Sequence, residues 1–90
     1  NTEGLRDFVG DIIGKIAAHD AAHGGDLLIT LEHYLAQRTR LQATADALGI
    51  HVTTLRYRLR RISELFGVDL DDPESRLGVE LALRLRRLLG

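Results

Sequence analysis

The chain has no cysteine, no methionine and no tryptophan, and its 90 residues include one proline, two tyrosines and two phenylalanines. Without cysteine there is neither a disulfide framework nor a thiolate metal site, and the composition fits a reducing, cytoplasmic compartment. With so few aromatics among 44% hydrophobic residues, the core has to be built from Leu, Ile, Val and Ala, a mixture that favours helices over sheet. No apolar run approaches the ~20 residues that cross a bilayer and no signal-peptide pattern opens the chain, so a soluble protein with no membrane partner is expected. Methionine is missing even at position 1, which points to a portion of a longer protein. The length suits one domain around one modest core.

An overall excess of charge is also lacking, since the net charge is −1. Its distribution is uneven. Between Arg38 and Arg61 six arginines face the single acid Asp46, a local excess of +5, and the remaining residues carry six basic and twelve acidic groups, or −6. Salt screens distant charges over about 8 to 10 Å, so such a patch keeps its own field on a nearly neutral chain. Arginine outnumbers lysine eleven to one, and its planar fork suits bidentate contact with phosphate or guanine.

The patch coincides with the most organised stretch, Leu41 to Ile62, in which two amphipathic runs flank Gly49. Leu41, Thr44, Ala45 and Leu48 share a face of the first run, with small Ala45 where two helices would cross. Gly49 follows as the left-handed residue that ends a helix, and Ile50 anchors the turn. In the second run Leu55, Leu59, Ile62 and Phe66 line one side, Thr53, Tyr57, Arg60 and Arg61 the other, and Thr54, Arg56 and Arg58 the flanks. From His51 to Ser63 there is no acid. An ordinary solvated face would mix signs, so this one is expected to meet a polyanion, with the helix Val52 to Phe66 in the major groove of double-stranded DNA.

The flanking segments supply scaffold. Leu5, Phe8, Val9, Ile12, Ile13 and Ile16 form a helical stripe, and residues 1–4 before it are expected to be a linker or disordered, leaving 5–90 as a single DNA-binding domain. Gly10 and Gly14, one turn apart, either admit a close neighbour or are simply tolerated. His19 and His23 have the spacing of a metal pair, but only Asp20 or Asp26 is available as a third ligand, so no metal site is expected. Gly24 and Gly25 lack the following Lys-Ser/Thr of a phosphate loop and read as a connector. Asp26 would favour the positive end of the next helix, Asp26 to Gln37, whose Leu27, Leu28, Leu31, Tyr34 and Leu35 form a core stripe. Thr39 or a neighbour should start the helix after it.

Beyond the basic helix, Asp69, Asp71 and Asp72 have no accompanying nucleophile or base, and no catalytic or cofactor site is expected. Asp72 before Pro73 reads as an N-cap with proline at the first helical position. On the last helix Leu77, Leu81, Leu85 and Leu88 define a stripe, with Val79, Leu83 and Leu89 off it. This stripe is either buried among the domain's own helices or forms a dimer surface, and Arg84, Arg86 and Arg87 suit that helix's negative end. The expected fold is all-α, about five helices with the third and fourth as a helix-turn-helix. The alternative function is a helical protein–protein interaction or dimerisation module using those leucines.

Three segments carry a family likeness. His51 to Ile62, HVTTLRYRLRRI, resembles the H-P-N-T-L-R-Y-R-L-R-R-I signature of the C-terminal DNA-binding domain of PucR-type regulators, which include the CdaR-type sugar-diacid regulators. Leu28 to Leu35 is similar to their L-x-T-L-x-x-Y-L segment and Gly67 to Pro73 to their G-x-D-L-D-D-P. The resemblance runs from about Phe8 to Leu88. It implies a bacterial transcription factor in which a Fis-like helix-turn-helix follows a sensory or GGDEF-like region. Helix-turn-helix readers usually meet two half-sites as dimers, so a homodimer is expected, joined through the last helix or through a missing N-terminal region. By this likeness Val52, Thr53, Tyr57 and Arg58 would lie nearest base edges, and Arg40, Gln42, His51, Thr54 and Arg61 nearest phosphates. Val52 stands where the family has Pro and Thr53 where it has Asn, so the family's operator preference does not carry over.

Overall fold

A computed structural model describes the backbone of residues 2–89 and the side chains of residues 10–89. The elements in order are α1 (Thr2–His23), α2 (Leu27–Ala36), α3 (Leu41–Leu48), α4 (Val52–Phe66) and α5 (Pro73–Leu89), with no strand among the described residues. Helical backbone starts at Thr2 rather than at Leu5. The side chains of Leu5, Phe8 and Val9, expected on the first stripe, lie outside the described residues. None of the five helices is long and apolar enough to cross a membrane.

The central element is α2, which packs against each of the other four helices. Its Leu27, Leu31, Tyr34 and Leu35 are buried together with Ile12, Ile13 and Ile16 of α1, Ile62 of α4, and Val79, Ala82 and Leu83 of α5. Thr30 is buried in the same stripe. The Tyr34 ring is in the core, as its spacing implies.

The start of α2 is held from a distance. Both oxygens of Asp20, on the last turns of α1, accept N–H groups of its first turn, Leu27 N to Oδ1 and Leu28 N to Oδ2, each at 2.9 Å. These are orphan donors at the positive end of a helix, and a carboxylate answers both the hydrogen bonds and the dipole. Asp26 occupies the N-cap position, but its side chain makes no capping bond. The connector bends at Gly24 (φ 63°), and a Cβ on Gly25 would come within 3.1 Å of Asp20 Oδ1.

The turn between α2 and α3 places two consecutive non-glycine residues, Arg38 (φ 54°) and Thr39 (φ 63°), in the left-handed region. Each costs about 1 kcal/mol or more; the Thr39 N–H bond to the Tyr34 carbonyl (2.9 Å) holds the turn in place. Arg40, the neighbour of Thr39, is extended and is the N-cap of α3, which starts at Leu41. At the other end of α3 Gly49 takes φ 67°, and Ile50 N–H reaches back to the Ala45 carbonyl at 3.0 Å, the closure of a Schellman motif. Ala45 is fully buried at the crossing, as its size suggests.

After α4, Gly67 repeats the left-handed stop, and Val68 and Leu70 turn into the core. Asp72 caps α5, accepting from Ser75 N at 3.1 Å and Ser75 Oγ at 3.0 Å. On α5 the structure resolves the open question about the leucines. The buried residues are Val79, Ala82 and Leu83, whereas Leu77, Leu81, Leu85 and Leu88 are exposed. At roughly 100° per residue the leucine stripe lies opposite Val79, so α5 has two apolar faces. Val79, Ala82 and Leu83 meet the core, and the four leucines of the stripe remain outside.

Replacing Asp20 by Ala should lower stability by roughly 1 to 2 kcal/mol, because two charge-assisted bonds to a helix start are lost. Denaturant unfolding followed by circular dichroism measures this; an unchanged midpoint would rule out Asp20 as the cap of α2.

Candidate nucleic-acid interface

The Gly49 turn sets α4 across α3, and α4 is anchored by fully buried Leu55 and Ile62 with Leu59 and Phe66 partly covered. Those four positions decide which side of the helix meets the core, so the residues opposite them face outward. His51, Thr53, Thr54, Arg56, Tyr57 and Arg60 are exposed, and Val52, Arg58 and Arg61 are half-buried. Tyr57 is 57% exposed: it contributes nothing to the core and stands among the arginines. Arg40 and Gln42 are exposed at the start of α3. The sequence-selected residues of α4 and α3 thus occupy one neighbourhood on the same helix-turn-helix.

Three of the eleven selected residues make side-chain bonds within the protein. His51 is the N-cap of α4, its Nδ1 accepting the Thr53 N–H at 3.1 Å. In the neutral ring this leaves Nε2 as the protonated, donating nitrogen, suited to a phosphate oxygen. Gln42 Nε2 donates to Asp46 Oδ1 one turn on, at 2.9 Å. Arg58 differs most from its expected place near base edges. Its guanidinium turns to α2, with Nη1 donating to Thr30 Oγ1 at 3.3 Å and Nη2 lying 3.9 Å from Asp26 Oδ2.

Arg56 and Arg60 lie one turn apart on the other flank of α4. They line an open recess of about 580 Å³ with Tyr34, Leu41, Leu59, Ser63 and the loop Gly67 to Asp71. Among the described residues Arg56, Arg60 and Arg61 make no ion pair; the pairs seen are Lys15–Asp11, Arg58–Asp26 and Arg84–Glu80.

The histidine pair packs against the end of α4. The His19 and His23 rings stack with centroids 4.3 Å apart, and His19 meets the Phe66 ring edge-on at 5.8 Å. The His23 Nδ1 lies 3.0 Å from the His19 carbonyl oxygen, and Asp20 is committed to α2. Among the described residues no group of three or more His, Cys, Asp or Glu stands close enough to hold an ion.

A family model described as the PucR C-terminal helix-turn-helix domain matches residues 27–85. The chain belongs to this family. It is similar to the purine catabolism regulatory protein of Bacillus subtilis (36% identity over 98% of this chain and 16% of the relative). It also resembles the DNA-binding transcriptional activator AdeR of B. subtilis (30% identity over 84% of this chain and 18% of the relative). The carbohydrate diacid regulator of Escherichia coli is 44% identical over 70% of this chain and 16% of its own length. The chain thus spans less than one fifth of these relatives. No solved structure gives a significant match.

The PucR helix-turn-helix match begins at Leu27, so α2 through most of α5 forms the shared unit. Within it, sequence reasoning missed Thr30 and Asp46 as partners of interface side chains, and took Asp26 only for a helix-end charge. Thr30 did carry a signal. It sits at i+3 from Leu27 on the buried stripe, where another leucine would fit the pattern and a hydroxyl needs a partner.

Substitution of His51 separates its two roles. Ser in its place retains a capping oxygen, so stability should hold while duplex affinity falls; Ala should also lose about 1 kcal/mol of stability. Thermal melting alongside fluorescence anisotropy with labelled duplex measures both, and equal affinity of the two variants and the unchanged chain would remove His51 from the interface.

Proposed function

We propose that this PucR-family helix-turn-helix is the sequence-specific, double-stranded-DNA reader of a bacterial transcriptional regulator, acting in the cytoplasm at the nucleoid. The observation that carries this reading is α4 itself. It follows a left-handed glycine turn, has no acid from His51 to Ser63, and presents Arg56, Arg60 and Arg61 without intramolecular ion pairs among the described residues. With α4 in the major groove, Val52, Thr53 and Tyr57 are the side chains nearest base edges. Arg40, Gln42, His51, Thr54 and Arg61 reach phosphates at the groove walls, and Arg56 and Arg60 reach the backbone along the recess. The role is one of binding, and no step of catalysis is assigned to it.

Binding by this route releases counterions. With about six phosphates neutralised per copy, log affinity should fall with log salt at a slope near −5, and replacing both Arg56 and Arg60 by Ala should make the slope shallower by about 2. Anisotropy titrations over a salt series measure this. Affinity that does not depend on salt, with no preference for any promoter fragment, would end the DNA reading.

The leucine face of α5 supports a second element of the proposal, pairing of two copies. Leu77, Leu81, Leu85 and Leu88 are between 43% and 82% exposed on one side of the helix. Glu74 and Glu80 occupy the first half of α5 and Arg84, Arg86 and Arg87 the second, while Arg76 is tied to the Leu70 carbonyl at 3.0 Å. An antiparallel pair about a twofold axis sets the acidic half of each copy against the basic half of the other and covers the leucines between them. Two readers so joined suit half-sites about one helical turn apart. Sedimentation should show a dimer that Glu at positions 81 and 85 dissociates. A monomer at all concentrations would refute pairing through α5 and leave single-copy DNA binding untouched.

A further inference from the structure

Among the described residues Arg58 is the one arginine of α4 whose guanidinium is bound within the fold, and its surroundings are specific. The side chain is 24% exposed. Thr30, its partner on α2, is fully buried, and the Thr30 hydroxyl already donates its proton to the Asp26 carbonyl at 2.6 Å. The oxygen's lone pairs are therefore what it offers to Arg58, and Arg58 Nη1 donates to it at 3.3 Å. Asp26 contributes a carboxylate 3.9 Å from Nη2. With one hydrogen bond to Thr30 and a longer ion pair to Asp26, the guanidinium bridges the N-cap and first turn of α2, the helix on which all the others pack.

Resting on the DNA reading above, we infer that Arg58 is a positioning residue that sets the angle of the reader helix through Thr30 and Asp26, and that it does not itself contact bases. Leu55 and Ile62 resist lifting of α4 off the scaffold, but apolar contacts are not directional and tolerate a small roll. A roll of ~20° carries a side-chain end roughly 6 Å from the helix axis through about 2 Å. Hydrogen bonds to base edges fail over a much smaller displacement, whereas a diffuse phosphate field hardly changes. The Arg58–Thr30 bond lies on the flank of α4, off the axis, where it opposes a roll most directly. Its loss is thus expected to weaken specific binding and to spare non-specific binding.

The test uses two probes, a mixed-sequence duplex and the duplexes that the unchanged chain enriches from a randomised pool. Thr30→Val removes the acceptor at equal volume, and should weaken binding of the enriched duplex about ten-fold while leaving affinity for the mixed-sequence duplex and the salt slope unchanged. Arg58→Ala should do the same, the double variant should be no worse than Arg58→Ala, and Thr30→Ser should restore binding. Asp26→Ser, at an exposed N-cap where Ser is well accepted, should give a smaller loss of the same kind, and it reports on the clamp even if a change at buried Thr30 unfolds the chain. The inference is overturned if Arg58→Ala makes the salt slope shallower by about 1, which marks a phosphate contact. It is equally overturned if Arg58→Lys changes the preferred base at a single position, or if Thr30→Val and Asp26→Ser both bind the enriched duplex as the unchanged chain does. Failure of the unchanged chain to enrich any duplex overturns the DNA reading, and this inference with it.

Discussion

Burial of α2 is the constraint on which the other elements depend. α2 has ten residues and α3 eight, well below the length at which an isolated helix is stable in water. Neither can exist without packing, and α3 contacts only α2 and α4. The helix-turn-helix is therefore a surface element whose geometry is borrowed from one buried stripe, Leu27, Thr30, Leu31, Tyr34 and Leu35. Whatever fixes the first turn of α2 then fixes the reader, and two side chains from elsewhere in the chain do so: the Asp20 carboxylate from α1 and the Arg58 guanidinium from α4.

This dependence also explains what could be read from the sequence. The bounds of α4 and the stop at Gly49 follow from local chemistry, since a helix that ends in a left-handed glycine and resumes two residues later writes its signal within a few positions. The Asp72 cap and Pro73 start are legible for the same reason. Asp20 is not, because its acceptors are used seven and eight residues later, across a bend whose direction depends on the packing of α1 on α2. The left-handed turn at Arg38 and Thr39 is hidden likewise: neither residue favours that conformation, and α2 and α3 impose it from both sides.

On α5 the sequence pattern is ambiguous in a different way. Periodicity shows that apolar residues share a face, but it does not rank two opposite faces. The longer leucine stripe suggests the core side by its regularity, while the actual core side holds Val79, Ala82 and Leu83, which pack toward α1 and α2. Arg58 raises the same difficulty at the scale of one side chain. Its Cα position was correct from helical spacing, but a long, flexible side chain on a flank can end either outward or against a neighbouring helix, and only the location of Thr30 decides.

The electrostatics of the reader depend on where the acids are used. Asp46 sits beside the interface but accepts from Gln42; Asp69 accepts the Asp71 N–H at 3.0 Å in a turn; Asp72 caps α5; and Asp20 caps α2. Each of these carboxylates has a local hydrogen-bond role, and among the described residues the only arginine of α4 that pairs with an acid is Arg58. This arrangement reconciles a net charge of −1 with polyanion binding. Acids placed at helix starts stabilise the fold through the backbone dipole, and on the proposed DNA reading Arg56, Arg60 and Arg61, which make no ion pair among the described residues, would gain by displacing counterions of a phosphate backbone. One pair is the exception, Arg58 with Asp26, and on the proposed positioning role of Arg58 the loss of a free cation there is offset by a fixed orientation of the helix that carries the other three.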